Sequence, residues 1–345
     1  SSAFENERFD FYDRTLGGAK QMKPRWKRVL TATDRSLGDA LGKIFVDKHF
    51  PAEAKKRVSE MVQNLIAAYK ERIKTRDWMN ESTKQQAIAK LDKMMQKFGY
   101  PDVWKDYKGL NVSRDSYAKN SWNSNLFRWE ETVNKLGKPV DRTEWAMSPP
   151  TINAYYNPNM NEIVFPAGIM QYPFFDVDQD DAINYGAMGA VIGHELTHGF
   201  DDQGSLFDGD GNMKQWWTKD DSTRFKRKTE MITNQYNKYV AIDTMHVSGP
   251  LTLGENIADL GGLTLAYYAY KKSLEGKEIN IINGFTPEQR FFLGWARGWC
   301  VNYTPEYLRQ MVLTNVHSPG NFRVMGPLSN MQEFYDAFGV KEGDK

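Results

Sequence analysis

Along the first third of the chain, apolar residues recur every three or four positions. In 36–50 the repeat picks out Leu37, Leu41, Phe45 and His49, and in 52–79 it picks out Val58, Met61, Leu65, Ala68 and Ile73. That spacing predicts two helices, each apolar along one stripe and charged elsewhere. A third helix, 82–100, starts at a cap-type residue, Ser82, and is expected to end before Gly99 and Pro101. From about 137 the texture changes to Pro, Asn and aromatic residues. There "TINAYY" and "EIVF" are β-prone runs on either side of the turn-like "NPNMN", a pattern that predicts a hairpin. Next come a helix through "DDAINYGAMGAVIGHELTHGF", a Gly/Asp loop at 199–212, a charged helix near 214–240 and a helix at about 253–275, then helices alternating with loops. The shift in texture puts a domain boundary near 120–137.

Composition removes several function classes. A chain of 345 residues can bury a large core, in two domains or one large one. Lysine plus arginine (45) nearly cancels aspartate plus glutamate (44), so no overall field draws nucleic acid or anionic lipid. The apolar runs are short and broken by charges, and "SSAFENERFDFYDR" lacks the basic start and apolar core of a signal peptide, so no membrane segment is expected. Cys300 is the only cysteine, which rules out an internal disulfide and a thiolate metal site.

The chemistry concentrates in His194-Glu195-Leu196-Thr197-His198. Four residues apart on a helix, His194 and His198 share a face and can aim imidazole nitrogens at one tetrahedral ion, with Glu195 beside a water on it. Gly186, Gly189 and Gly193 precede or enter this motif, each costing the helix about 1 kcal/mol relative to alanine. Either neighbouring backbone packs close to them, or they leave room for substrate.

A catalytic zinc needs a third protein ligand. The spacing that would place it six residues on is excluded by Asp201 and Gly204, and no glutamate occurs between His198 and Glu230. Glu230 sits in the charged run "TRFKRKTEM". Glu255, in "LTLGENIADLGGLTLAYYAY", is set among apolar and small residues with Asp259 four positions on. One of these carboxylates can bind metal while the other accepts the N–H of a ligating imidazole; a partly exposed acidic patch is the alternative. "FDGDGNMKQWW" imitates a calcium loop through Asp208, Asp210 and Asn212, but Met213 and Lys219 stand where glycine and glutamate are required. His49 and His246 are assigned structural roles.

Five stretches in order, "INAYYNPNMNEIVFPAGI", "VIGHELTHGFDDQG", "GENIADLGG", "WCVNYTPEYLR" and "NVHSPGNFRVMGPLSN", make the chain resemble the neprilysin-type zinc endopeptidases, especially their bacterial PepO-like members. "KPRWKRVL", "KERIKTRDWM" and "GKPVDRTEWAM" extend the resemblance over essentially the whole chain. It implies a mainly α (α+β) fold: a thermolysin-like gluzincin catalytic domain with a small hairpin and edge strand at 121–345, preceded at 1–120 by the last part of an all-helical cap domain. His194, His198 and Glu255 would bind one Zn2+ per chain, Glu195 would activate water, Asp259 would orient His194, and His317 would stabilise the oxyanion. Arg323 would hold a substrate carbonyl, Asn153 and Ala154 would pair with the peptide as an added strand, and Phe174, Val191 and Trp299 would line the pocket for the residue after the cleaved bond. The implied activity is hydrolysis of short peptides with a hydrophobic residue at that position, in the periplasm or outside the cell. The family's longer amino-terminal portion implies a missing cap segment. Without it, a zinc- and peptide-binding fragment with little turnover is the alternative.

Overall fold

The apolar stripes form the expected helices, and strand pairing supplies what local periodicity does not. The structure, a computed structural model, describes residues 2–341 and 343–344; the terminal positions of the two expected domains, 1 and 345, lie outside the described residues, as does 342. The first part holds α1 (Ser2–Arg8), which runs into a π-helical stretch (Phe9–Leu16), then α2 (Arg25–His49), α3 (Ala52–Lys74) and α4 (Glu81–Asp92). In α3, Val58, Met61, Leu65, Ala68 and Ile73 are all buried, as the stripe predicts. Helix α2 breaks at Leu37, whose backbone is not helical, so the 36–50 helix is its second half.

The third helix is shorter than its sequence suggests. Its cap is Asn80, whose side chain accepts from the Thr83 N–H, rather than Ser82, and it ends at Asp92. Residues Met95–Gly99 leave it to form β1, because a partner strand overrides local helical preference. The Lys97 ammonium, 2.7 Å from the buried Glu162 carboxylate, fastens that pairing. After α5 (Tyr117–Val133) come β2 (Tyr155–Asn157) and β3 (Glu162–Pro166), the expected hairpin, with Asn161 at positive φ in its turn. The sheet order is β1-β3-β2: β1 runs parallel to β3, with Met95 opposite Glu162, and β2 antiparallel, with Tyr155 opposite Val164.

The metal-motif segment is capped by Asp180, which accepts from the Ala182 N–H. It runs as α6 (Asp181–Asn184), a π-helical turn (Tyr185–Gly189) and α7 (Ala190–His198). Then follow α8 (Lys219–Tyr236), a two-stranded ribbon of β4 (Val240–Ile242) and β5 (Met245–His246), and α9 (Leu253–Ser273). The last helices are α10 (Pro287–Gly298), α11 (Pro305–Thr314), α12 (Gly320–Leu328) and α13 (Gln332–Phe338).

Helices α7 and α9 lie in unusually close contact, and the glycines explain it. A Cβ on Gly193 would stand 2.5 Å from the Gly262 carbonyl oxygen, and where the π-helical turn packs on α10, one on Gly186 would overlap the Phe291 carbonyl. Backbone therefore occupies the space a side chain would fill, which decides for packing over room for substrate at these two positions. Gly189 is different: its nearest neighbour would be the Met61 sulfur at 3.3 Å. No helix among the described residues is long and apolar enough to cross a membrane.

Candidate metal centre

Close approach of α7 and α9 brings two pairs of residues, each pair four apart, face to face: His194 and His198 from one helix, Glu255 and Asp259 from the other. His194 Nδ1 lies 2.8 Å from Asp259 Oδ1, and His198 Nδ1 lies 2.7 Å from Asp201 Oδ2. Each carboxylate accepts a hydrogen bond from Nδ1–H, so each ring turns its Nε2 inward. Those nitrogens are 2.9 Å apart, and Glu255 Oε2 is 3.1 Å from one and 3.6 Å from the other. Glu255 Oε2 is buried among imidazole nitrogens.

Three electron-rich atoms converging in a buried place repel unless a cation or protons lie between them. A tetrahedral ion with bonds of about 2.0–2.1 Å separates its ligands by about 3.3 Å, close to the spacing found, and nitrogen with carboxylate oxygen is a zinc donor set. His194, His198 and Glu255 thus fit the ion. Without it, protons serve. Burial pulls both imidazoles down, but Asp201 and Glu255 outweigh it and lift His198 to about 11, while Asp259 and Glu255 raise His194. Burial also pushes Glu255 up, yet the three surrounding imidazoles hold it well below the usual carboxylate range. The acidic-patch alternative is excluded, since Asp259 is 1 % exposed.

All the expected site residues line one cleft of about 580 Å³. Glu195 is buried there with its pKa raised, chiefly by that burial. His317 Nε2 is 3.1 Å from Glu255 Oε2, and Asn315 Oδ1, 3.0 Å from Nδ1, fixes the ring. Asn153 and Ala154 form the cleft edge just before β2, and Phe174, Val191 and Trp299 its apolar wall.

Residues 153–345 match the family model for peptidase family M13, and residues 1–101 match its amino-terminal companion, also described as peptidase family M13. The chain belongs to peptidase family M13. It is 40% identical to human endothelin-converting enzyme 1 over 358 residues, covering 99% of this chain and 46% of that protein. Among solved structures, the Mycobacterium tuberculosis zinc metalloprotease Zmp1 in complex with inhibitor superposes with a TM-score of 0.95 at 46% identity, covering 100% of this chain and 53% of that one. PepO from Lactobacillus rhamnosis superposes with a TM-score of 0.85 at 32% identity, covering 96% of this chain and 52% of that one. The chain thus spans about half the length of these relatives. Their shared fold is the helix-rich, thermolysin-like one expected for an M13 peptidase.

Two features of this M13 chain escape sequence reasoning. Asp201, which the sequence presents only as the residue that excludes another ligand spacing, is the partner of His198; its signal is its place three residues after a candidate ligand. Arg323 grips Asp259 with two nitrogens, at 2.7 and 2.6 Å, and stacks on Trp299, so in this state it first braces the carboxylate behind His194. Burial lowers the Arg323 pKa, but Asp259 more than compensates and raises it.

Proposed function

We propose that the chain carries the catalytic centre of a zinc metalloendopeptidase that hydrolyses short peptides, with one zinc per chain held by His194, His198 and Glu255. The observation that carries this reading is the convergence of the two Nε2 atoms and a Glu255 oxygen, all within 3.6 Å of one another, beside a buried Glu195. Zinc, when bound, supplies Lewis acidity, lowering the pKa of a water and polarising the scissile carbonyl. Glu195, whose pKa burial raises, takes the water's proton and passes it to the leaving amine. Asp259 keeps His194 in the tautomer that faces the metal. His317 and Arg323 donate toward the carbonyl oxygen as negative charge develops, an effect worth about 3 kcal/mol per donor in other enzymes.

Asn153 and Ala154 offer backbone to an extended peptide, whose main chain would extend the edge beside β2. Phe174, Val191 and Trp299 take a hydrophobic side chain just after the cleaved bond. Residues 1–120 would then be the last part of a helical cap domain and 121–345 the catalytic domain, with a further amino-terminal cap segment as its partner. The working place would be the periplasm or the cell exterior, and nucleic acid has no part, consistent with the near-zero net charge. A second reading, a zinc- and peptide-binding fragment with little turnover, is favoured by the half-length match to relatives. End-blocked, internally quenched peptides separate the two. Cleavage that chelation stops and zinc restores, strongest with a hydrophobic residue after the cut, supports the peptidase; binding without turnover supports the fragment.

A further inference from the structure

Lys90 of α4 does not line the cleft, yet it is 2 % exposed, and its ammonium donates to three backbone carbonyls: Gly199 at 2.6 Å, Gly204 at 2.8 Å and Phe207 at 2.7 Å. Those bonds use every N–H that an ammonium has. The rings of Phe200, Trp216 and Tyr156 stand 5.5–5.9 Å from the nitrogen, completing a cage. A buried charge is costly unless it is fully bonded, and burial lowers the Lys90 pKa to about 8, leaving the cation dominant at neutral pH.

The three carbonyls belong to the segment that leaves the metal helix. Gly199 follows His198 directly, and between Gly199 and Gly204 sits Asp201. Asp201 Oδ1 accepts the N–H groups of Gln203 at 2.9 Å and Gly204 at 2.6 Å, while its Oδ2 faces His198. The Lys90 carbonyl in turn accepts from Asn161 Nδ2 at 2.9 Å, in the turn of the β2–β3 hairpin. One side chain therefore joins α4 to the loop that orients a metal ligand, and its own backbone joins the hairpin.

We infer that Lys90 is a positioning residue for the metal: it fixes the 199–207 loop so that Asp201 holds the His198 ring in its metal-binding orientation. This rests on the zinc reading above. No part of it requires Lys90 to touch the metal, its ligands or the substrate.

The test is the zinc dissociation constant, from competition with a chelator, in the intact native protein. Lys90→Met is expected to raise it about tenfold to hundredfold and to alter the visible spectrum of the cobalt-loaded protein. Because both residues act through one loop, Lys90→Met and Asp201→Asn together should cost less than the sum of each alone. Lys93→Met, which removes an exposed ammonium paired with Asp210 just beyond that loop, should leave affinity unchanged. If Lys90→Met fails to unfold cooperatively, Lys90→Gln, which keeps two N–H donors, takes its place with the same expectations. Unchanged zinc affinity in the Lys90 variant, or full additivity with Asp201→Asn, overturns the inference while a tightly binding wild type keeps the zinc reading; a wild type that binds no zinc overturns both.

Discussion

Gly193→Ala is the sharpest probe of how the fold makes the site. The new Cβ would lie 2.5 Å from the Gly262 carbonyl oxygen, whereas a carbon–oxygen contact needs about 3.3 Å, so α7 and α9 must part by about 0.8 Å. Overpacking of this kind costs about 1–3 kcal/mol, against which alanine's helix preference returns about 1 kcal/mol. The larger effect falls on the metal. His194 and His198 ride on one helix and Glu255 on the other, and metal bonds tolerate only about ±0.2 Å, so zinc affinity should drop at least tenfold. Gly189→Ala is the control: its Cβ would meet the flexible Met61 thioether at 3.3 Å, and stability should hold or rise by up to about 1 kcal/mol. Denaturant unfolding of the metal-free proteins and chelator competition for zinc measure both terms. If Gly193→Ala matches wild type in both, backbone contact does not set the site.

Other expectations follow from the same geometry. In the metal-free protein His198 titrates at about 11 and His194 above its ordinary 6.5, so zinc must displace protons. Folded values raised in this way stabilise the metal-free protein fully below about 6.5, and that contribution fades as pH rises toward 11. Zinc affinity should therefore climb from pH 6 to 8, by up to about tenfold per unit for each proton released, and a flat profile in chelator competition would contradict the assignment. Asp259→Asn removes the acceptor of His194 and strands the buried Arg323, so zinc affinity should fall about 10–100-fold; wild-type affinity in that variant would show that Asp259 does not orient the ligand.

Most of the centre was legible because helical spacing is local. His194 with His198, and Glu255 with Asp259, share faces by their four-residue separation, and the Val58 to Ile73 stripe marked its buried side directly. What stayed hidden depended on distant pairing. Met95–Gly99 reads as the tail of a helix until Glu162–Pro166 is beside it. Lys90 reads as a solvated charge until the 199–207 loop closes over it. Arg323 shows its partner only once α9 and α12 meet, whereas Asp201, three residues from His198, lay within local reach.

The account stands or falls on zinc content and peptide hydrolysis measured side by side for wild type and Glu195→Gln. It predicts one zinc per chain in both, with cleavage in wild type and at least a hundredfold loss in the variant, the scale of a general base. A wild type without zinc, or a variant that cleaves as fast as wild type, would contradict it.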